Sequence, residues 1–390
     1  MNIIFIFDGL QFGGIERVGV EYIKLLSSRN YHIKVVNLKP KLNALEKEIP
    51  DNIDVIHLHY PRSLSPYRYG KLRRHGIVGN IVYRMIFVVL SIINLLYKPF
   101  YLNKIRGVYE SDAAIAFSGH INDLSFTAYN CKPHVGKTIA WLHGSQYSYN
   151  VINPGFYDLY VKIGKLVCLS EKDDEKGVYS FNEKNRINKV KIYNPINISD
   201  RVIDSNKVES LKVEYGDYIL MVGRLSKDKD QACLINAVKI LSEKYNLKKN
   251  LLLVGNGPEL DKLKKAAKDF GVSDQVFFIG ARYDVQNYYA AACIYAHSSP
   301  AEGLPTVLLE AMFYHLPVVS TNSEPGVEEI LQDKYGLISP VGDSEALADN
   351  IYRVYTDQKL RNTLVSQEPE RLKSFMPSHV IEQFENMIMQ

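Results

Sequence analysis

The sequence predicts an α/β protein built from two doubly wound, Rossmann-like domains. Short apolar segments alternate with amphipathic helical segments along most of the chain. The apolar segments contain few polar residues, as do the strands of a parallel sheet that is covered on both faces. The alternation stops in the polar stretch 197–216 and then resumes, and 390 residues exceed the size of one ordinary core.

The first domain is predicted to span residues 1–197. Its opening segment, "MNIIFIFDGL", lacks the basic start and the small-residue cleavage site of a signal peptide, so it is predicted to be a strand. A helix at 15–28 follows, and further helices separate the later strands. The predicted strands are 2–7, 32–38, 53–59, 112–117, 137–142, 165–169 and 190–193.

The second domain is predicted to span 198–370, and residues 371–390 to form a C-terminal helix that packs back on the first domain. Parallel α/β sheets bind ligands beyond the carboxyl ends of their strands. We therefore expect the site in a cleft across which the two domains face each other. The predicted strands are 218–223, 250–254, 276–279, 294–297, 317–320 and 337–339. The predicted helices are about 229–244, 258–270, 284–292, 305–314, 325–332 and 343–355.

Composition argues against several classes of function. The formal net charge of +4 is too small to indicate nucleic-acid binding. The four cysteines lie far apart and form no CxxC pair, so the sequence predicts neither a zinc site nor a disulfide framework. Reduced cysteines and the lack of a signal-peptide pattern predict a cytoplasmic protein.

Two glutamates frame the segment "SPAEGLPTVLLEAM". Glu302 lies in a loop, where its carboxylate can accept hydrogen bonds from sugar hydroxyls, and Pro305 suits the first position of a helix. Glu310 lies further along that helix, at a distance that suits a ribose of the same ligand. A solvated helix residue and a loop charge are equally compatible with the spacing. The free N–H groups of Leu304, Thr306 and Val307 at the helix start attract phosphate, and Gly303 and Pro305 belong to the same predicted site.

Two cations follow the first strand of the second domain in "VGRLSKDKD". Arg224 leaves the strand end and Lys229 comes five residues later, so the pair can neutralise a diphosphate without a metal ion. The alternative is a pair of surface cations. Asp228 and Asp230 spell a DxD pattern, but they lie at a helix start and are interpreted as helix-start acids. No metal site is predicted.

Other strand ends carry residues that suit ligand contact. Gly13 and Gly14 let the backbone after the first strand approach a phosphate or a sugar. His143, at a strand end, can form a hydrogen bond with a sugar hydroxyl. Ordinary turns and a structural histidine remain the alternatives. The second-domain loops expected to border a nucleobase carry Gly255, Asn256, Arg282 and Tyr283.

Together these segments resemble the family 4 glycosyltransferases of the GT-B fold. The resemblance covers nearly the whole chain and rests on "GGIERV", "WLHGS", "VCLSEKD", "YNPI", "VGRLSKDKD", "LLLVGNGPE" and, above all, "EGLPTVLLEAMFYHLPVVSTN". It implies a retaining transfer from a nucleotide-sugar, with no metal ion and no cofactor.

The resemblance also implies roles for individual residues. Arg224 and Lys229 hold the diphosphate, Glu310 the ribose, and Glu302 the donor sugar. His143 lies near the reacting sugar, and Gly14 approaches the donor from the first domain. No residue acts as a covalent nucleophile, because the leaving diphosphate helps to deprotonate the acceptor on the same face.

One departure from the family pattern concerns the substrate. Many relatives have a Gly-Gly pair where this chain has Glu324-Pro325-Gly326, a version similar to that of members that build bacterial surface polysaccharides such as O-antigen or capsule. This resemblance implies a UDP-linked hexose or N-acetylhexosamine and a lipid-linked or polysaccharide acceptor. A non-catalytic sugar-nucleotide-binding subunit and a GT-B sugar-nucleotide epimerase remain alternatives. An epimerase is expected to place carboxylates in the cleft for proton abstraction, and no such pattern is present.

The first domain carries a basic, apolar insert at about 62–106. Residues 55–109 contain no Asp or Glu and carry nine cations, of which seven flank the segment "IVYRMIFVVLSIINLLYKPFYL" and two lie within it. Asn80, Arg84 and Asn94 interrupt it, so a helix lying on an anionic inner leaflet is predicted in preference to a membrane span. A buried domain helix is the alternative. The prediction makes the protein a peripheral one on the cytoplasmic face of the inner membrane, with a nucleotide-sugar donor and a lipid-linked glycan acceptor.

Overall fold

The computed structural model describes residues 1–105, 110–132, 134–144, 146–170, 187–196 and 201–389, without the side chains of 146–148. The chain divides into two units: unit 1 comprises Met1–Pro195 and Pro377–Gln390, and unit 2 comprises Ile196–Met376. Some predicted features lie outside the described residues. They are Arg106, Ser145 of "WLHGS", residues 171–173 of "VCLSEKD" and the domain boundary at 197/198.

Unit 1 contains a parallel sheet of seven strands. Its order is β3-β2-β1-β4-β5-β6-β7, and β1 pairs in parallel with both β2 and β4. Ile4 and Ile6 of β1 are buried between the sheet and its helices, as the apolar pattern predicts. The strands are β1 Asn2–Phe7, β2 His32–Asn37, β3 Asp54–His57, β4 Ala113–Ala116, β5 Lys137–Trp141, β6 Lys165–Cys168 and β7 Asn188–Lys191.

The last helix of the chain belongs to unit 1. Phe384 packs against Tyr22, with ring centroids 5.7 Å apart, and both side chains are buried. This part begins at Pro377 rather than at the predicted 371, because Arg371 donates hydrogen bonds to Glu329 O and Ile330 O within unit 2. The helices of unit 1 are α1 Gly14–Ser27, α2 Gly76–Lys104, α3 Ile121–Phe126, α4 Gln146–Ile152, α5 Gly155–Ile163 and α14 Pro377–Met389.

Unit 2 contains a second parallel sheet, of six strands in the order β10-β9-β8-β11-β12-β13. Leu251 and Leu253 of β9 and Ile235 are buried in its core. The strands are β8 Tyr218–Val222, β9 Asn250–Val254, β10 Val276–Gly280, β11 Ile294–His297, β12 Val318–Thr321 and β13 Leu337–Ser339. The helices are α6 Ser205–Tyr215, α7 Gln231–Tyr245, α8 Leu260–Asp269, α9 Val285–Ala291, α10 Thr306–Phe313, α11 Gly326–Leu331, α12 Ser344–Thr356 and α13 Gln358–Leu372.

Helix α6 lies in the stretch that the sequence predicts to be a linker. Asp204 caps it by accepting hydrogen bonds from the N–H groups of Asn206 and Lys207. Of its own side chains only Leu211 is buried, so the segment lacks the apolar stripe by which a helix is recognised in a sequence.

Each sheet has a switch point, where successive connections run in opposite directions. It lies between β1 and β4 in unit 1 and between β8 and β11 in unit 2. At such a place the loops beyond the carboxyl ends of the two strands diverge and leave a crevice, which is the usual ligand position in open α/β sheets.

Helix α2 packs along one face only. Tyr83, Asn94 and Tyr101 are buried, whereas Met85, Val89 and the other apolar side chains of the opposite face are exposed. Asn94 accepts a hydrogen bond from Tyr60 Oη (2.6 Å) and donates one to Leu64 O (2.7 Å). It therefore joins the helix to unit 1 rather than interrupting the apolar face. By length and composition α2 also suffices to cross a membrane, a property that it shares with many helices of other kinds.

Candidate active site

A lysine–glutamate ion pair lies at the switch point of unit 2. After β8 the chain forms a 3₁₀ turn at Lys227–Lys229, and Lys229 Nζ pairs with Glu302 Oε1. Ser298, which directly follows β11, donates a hydrogen bond from Oγ to Lys229 O (3.1 Å). The ends of β8 and β11 thereby hold together the predicted diphosphate cation and the predicted sugar-binding acid.

Glu302 has a second neighbour, a histidine, that the sequence analysis missed. His297 Nε2 lies 3.2 Å from Glu302 Oε1, and its side chain is 1% exposed. Burial alone raises the pKa of a carboxyl group, but His297 and Lys229 together hold the pKa of Glu302 at about 2. Glu302 is therefore fully ionised at neutral pH. The signal in the sequence is a histidine as the last residue of an otherwise apolar buried strand.

The loop that carries Glu302 packs closely against the segment before α11. Gly326 N–H donates to Glu302 O (3.1 Å), and a Cβ atom on Gly326 would lie 2.6 Å from Gly303 O. Glycine is required there by close approach, not by a positive φ. Pro305 is the N-cap of α10 and not, as predicted, its first helical residue. Thr306 begins the helix, and Leu304 and Pro305 are buried.

Arg224 leaves β8 next to the loop that follows β9. Its backbone O accepts a hydrogen bond from Gln231 Nε2 (2.9 Å), while its side chain is exposed. Leu225 N–H donates to Asn256 O (3.0 Å), and a Cβ atom on Gly255 would clash with Gly223 O. Gly255 and Asn256 therefore lie beside Arg224, as expected for loops that border one ligand.

Glu310 lies within α10 with its side chain 15% exposed. Arg201 Nη2 donates a hydrogen bond to Glu310 Oε1 (3.3 Å). Burial, together with the nearby Glu310 carboxylate, raises the pKa of Tyr289. Arg201 comes from the polar stretch that was predicted to be a linker, and no local pattern in the sequence indicates this partner.

Arg282 and Tyr283 follow β10 and remain on the surface. Tyr283 is fully exposed. The structure does not bring either side chain into contact with the ion pair or with Glu310 in the described residues. The two acids of the DxD pattern have different structural positions. Asp228 is exposed in the 3₁₀ turn, and Asp230 is the N-cap of α7 with a left-handed φ of 42°.

The remaining predicted site residues belong to unit 1. His143 Nε2 donates to Phe117 O (2.6 Å), and burial lowers the pKa of His143 to about 4. The ring is therefore neutral at pH 7, which leaves Nδ1 as an acceptor.

Gly13 is the N-cap of α1, and its missing side chain makes room for the Glu16 carboxylate. A Cβ atom on Gly14 would meet nothing within 4 Å, so space is open above it.

This arrangement suits an anionic, hydroxyl-rich ligand in unit 2. Arg224 and Lys229 supply positive charge at a strand end, while Glu302 and Glu310 supply acceptors that are ionised or buried beside a cation. Such a mixture of convergent charges in a switch-point crevice is typical of sites that bind phosphorylated sugars or nucleotides.

Comparisons with known proteins agree with this geometry. The family model of the glycosyl transferases group 1 matches residues 202–371. An uncharacterized glycosyltransferase of Haemophilus influenzae is 34% identical over 204 residues, which are 51% of this chain and 54% of that protein. A Campylobacter jejuni α-1,4-N-acetyl-D-galactosaminyltransferase, named for a substrate on diNAcBac-PP-undecaprenol, is 27% identical over 198 residues, 50% of this chain and 53% of that protein. The chain spans about half the length of the curated relatives it matches.

A solved structure extends the likeness to the whole chain. Anabaena Alr3699/HepE, crystallised in complex with UDP, superposes on 100% of both chains with a TM-score of 0.72 at 18% identity. This likeness establishes the fold: two parallel-sheet α/β units of the GT-B type. The matched segment, which forms most of unit 2, is similar to the glycosyl transferases group 1.

Proposed function

We propose that this protein is a retaining glycosyltransferase that moves a hexose or N-acetylhexosamine from a UDP-linked donor to a lipid-linked or polysaccharide acceptor. The reaction belongs, on this proposal, to bacterial cell-surface glycan synthesis. The observation that carries it is the Lys229–Glu302 ion pair beside Arg224 at the switch point of unit 2. The UDP bound to Alr3699/HepE supports a uridine nucleotide, and the diNAcBac-PP-undecaprenol named for the Campylobacter relative supports a lipid diphosphate acceptor.

The donor is held along its length by the residues of unit 2. Arg224 and Lys229 neutralise the diphosphate, and Glu310 accepts hydrogen bonds from the ribose hydroxyls. Glu302 accepts from hydroxyls of the donor sugar, for which its ionised state is required. Arg201, which is bonded to Glu310, orients that carboxylate.

Transfer follows from this placement of charge. The bond from the anomeric carbon to the diphosphate oxygen breaks, and the acceptor oxygen bonds to the same carbon on the face from which the diphosphate leaves. The acceptor proton passes to the departing diphosphate, whose charge Arg224 and Lys229 stabilise. We also propose that His143, whose neutral Nδ1 is free to accept, receives a hydrogen bond from a sugar hydroxyl. The proposed step uses no metal ion.

The exposed face of α2 supports a membrane-bound acceptor. Its apolar side chains are exposed within the described part of the chain, and its opposite face is bonded to unit 1 through Asn94. A helix held in this way lies along a bilayer surface without leaving the protein. Cations accompany it, and residues 55–109 contain no acid that would repel anionic headgroups. The cations of the described part are Arg62, Arg68, Lys71, Arg73, Arg74, Arg84, Lys98 and Lys104.

The transfer is tested by UDP release. The full chain is incubated with UDP-galactose, UDP-N-acetylgalactosamine or UDP-N-acetylglucosamine and vesicles that contain an undecaprenyl-diphosphate-linked N-acetylhexosamine. One donor is expected to give UDP and a longer lipid-linked glycan, and Glu302→Gln is expected to abolish both. Glu243→Gln, an exposed acid on α7, is the matched control and retains activity.

Two other outcomes would contradict the proposal. Conversion of the donor into its sugar epimer without UDP release indicates a sugar-nucleotide epimerase. Tight donor binding with no chemical change for any donor or acceptor indicates a non-catalytic binding subunit.

A further inference from the structure

The switch point of unit 1 carries its own cluster of charged side chains. Asp8 directly follows β1, and its N–H donates to Ser118 Oγ (2.9 Å). His120 and Asn122 follow β4, the neighbouring strand. This cluster lies where an open α/β sheet presents its ligand crevice, and none of the residues to which the proposed transfer assigns a role belongs to it.

One carboxylate lies against two cations and a histidine in this cluster. Asp8 Oδ2 lies 2.8 Å from Lys39 Nζ, 2.9 Å from Arg62 Nη2 and 3.3 Å from His120 Nδ1. The other oxygen, Oδ1, accepts a hydrogen bond from Asn122 Nδ2 (2.7 Å). Burial opposes ionisation of Asp8, but these bonds hold the pKa of Asp8 well below its usual range. Asp8 is therefore an anchor for the cations and not a general base.

Two further carboxyl groups, those of Glu16 and Asp123, lie near His120 in this cluster. Burial raises the pKa of Glu16, and burial raises the pKa of Asp123 to about 7. The Asp123 carboxylate is also bonded to the backbone N–H groups of Gly119 and His120. Burial lowers the pKa of His120, yet the Asp8 carboxylate outweighs it and leaves that pKa raised. Lys39 and Arg62 are thus held in place by the buried Asp8 carboxylate.

The cations are accessible from solvent while their anchor is not. The side chain of Asp8 is 1% exposed, whereas that of Arg62 is 57% exposed and that of Lys39 is 25% exposed. Arg62 uses one end of its guanidinium for Asp8, so other N–H donors point outward. Arginine and lysine donors around a fixed point are the usual partners of phosphoryl oxygens.

The cluster is connected by hydrogen bonds to the buried face of helix α2. Asn122 Nδ2 also donates to Tyr60 O (3.2 Å), and Tyr60 Oη donates to Asn94 of α2. Asn94 in turn donates to Leu64 O, in the same 3₁₀ turn Arg62–Leu64 that supplies the arginine. The cluster and the buried face of α2 thus belong to one continuous hydrogen-bond network within unit 1.

We infer that Lys39, Arg62 and His120, anchored by Asp8, form a binding site for the phosphoryl groups of a lipid diphosphate acceptor. The choice of a lipid diphosphate rests on the proposed function, whereas the site for phosphoryl oxygens rests on the cluster alone. Free pyrophosphate shares this chemistry, and the two sources are separated by experiment.

The test is calorimetric titration of the full chain with inorganic pyrophosphate and, separately, with farnesyl diphosphate. Lys229→Ala is introduced first, because it weakens the diphosphate site of unit 2. In that background Arg62→Gln is expected to lower the affinity for both ligands about tenfold or more, since a charge-assisted hydrogen bond to the phosphoryl oxygens is lost. Lys39→Gln is a second variant from another element. Arg68→Gln removes an exposed cation of the same insert and is expected to change neither affinity.

Each outcome decides a separate part of the inference. Equal pyrophosphate affinity in Arg62→Gln, Lys39→Gln and Arg68→Gln would overturn the site. Farnesyl diphosphate binding about tenfold tighter than pyrophosphate is expected, and equal binding would overturn the lipid assignment. UDP affinity in the Arg62→Gln variant without Lys229→Ala is expected to match that of the unsubstituted chain. If the unsubstituted chain does not bind UDP, the proposed function fails. The pyrophosphate titration then still decides whether Lys39, Arg62 and His120 bind phosphoryl groups.

Discussion

At the scale of single residues, the candidate site depends on how Glu302 is held. Lys229 and His297 both lie against Oε1, and together they keep the carboxylate ionised in spite of its burial. Lys229 is proposed to touch the donor diphosphate, whereas His297 is fully buried and acts through Glu302. His297 is therefore a positioning residue and not a catalytic one.

Removing His297 tests this distinction. His297→Ala is expected to weaken UDP-sugar binding and to lower kcat about tenfold or more, because a displaced carboxylate no longer meets the sugar hydroxyls. UDP lacks the sugar, so the affinity of the His297→Ala variant for UDP is expected to stay within about twofold of that of the unsubstituted chain. His297→Gln retains a hydrogen-bond donor and is expected to recover part of the loss. Equal losses for UDP and UDP-sugar would show that His297 supports the fold rather than Glu302.

At the scale of secondary-structure elements, α2 has two faces with different roles. Asn94 and Tyr83 attach it to unit 1, and the opposite face exposes apolar side chains along most of its length. Burying one such side chain in an apolar environment stabilises by about 1.5–3 kcal/mol. Several of them together make a bilayer surface a favourable partner even when each side chain is only partly inserted.

Charge on the exposed face of α2 is expected to prevent membrane binding. Met85→Glu with Val89→Glu should abolish flotation of the full chain with vesicles of phosphatidylcholine and phosphatidylglycerol. The unsubstituted chain should float with these vesicles and less with phosphatidylcholine alone. Val213→Glu, at an exposed apolar position on α6, is the matched control and should float normally. Flotation of the double variant at the level of the unsubstituted chain would contradict the proposed role of α2.

Helix α13 contains a buried glutamate, Glu368, whose effect on the stability of the fold depends on pH. The Glu368 side chain is 0% exposed, and neither carboxyl oxygen has a hydrogen-bond partner in the described part of the chain. Burial raises the pKa of Glu368 from 4.5 to about 9. The folded-state pKa lies above the unfolded one, so this group weakens the fold progressively as pH rises from about 4.5 to about 9.

Glu368→Gln removes that pH dependence. The variant is expected to gain stability relative to the unsubstituted chain as pH rises from 5 to 8, by up to about 1.4 kcal/mol per pH unit. Urea unfolding at several pH values measures the difference. Glu370→Gln, an exposed acid of the same helix, should differ from the unsubstituted chain by an amount that does not change over this pH range. A constant difference between Glu368→Gln and the unsubstituted chain would refute the account of Glu368.

At the scale of the whole molecule, the sequence predicts the two sheets well because each parallel strand is a short apolar run. The thirteen strands all overlap predicted segments. Lys229 and Glu302 were predicted as ligand residues from their positions after strands, and the structure brings them together because β8 and β11 are neighbours at a switch point. The position of a site residue relative to the sheet can therefore be predicted from the sequence.

Contacts between side chains of distant segments cannot be predicted from the sequence in this way. Arg201 and His297 were missed because their partners, Glu310 and Glu302, lie elsewhere in the chain or across a turn. The cation cluster around Asp8 was missed for the same reason, since Lys39, Arg62 and His120 come from three different loops. Helix α6 was missed because its side chains are mostly exposed, so its pattern is polar throughout.

The central claim is that Arg224, Lys229, Glu302 and Glu310 of unit 2 bind one nucleotide-sugar, and calorimetric titration with UDP tests it most directly. The unsubstituted chain and Lys227→Ala, which removes an exposed lysine of the same turn, are expected to bind UDP with equal affinity. Lys229→Ala is expected to bind it about tenfold or more weakly, because a charge-assisted bond to phosphate is lost. No UDP binding by the unsubstituted chain, or equal binding by the two lysine variants, would contradict the claim.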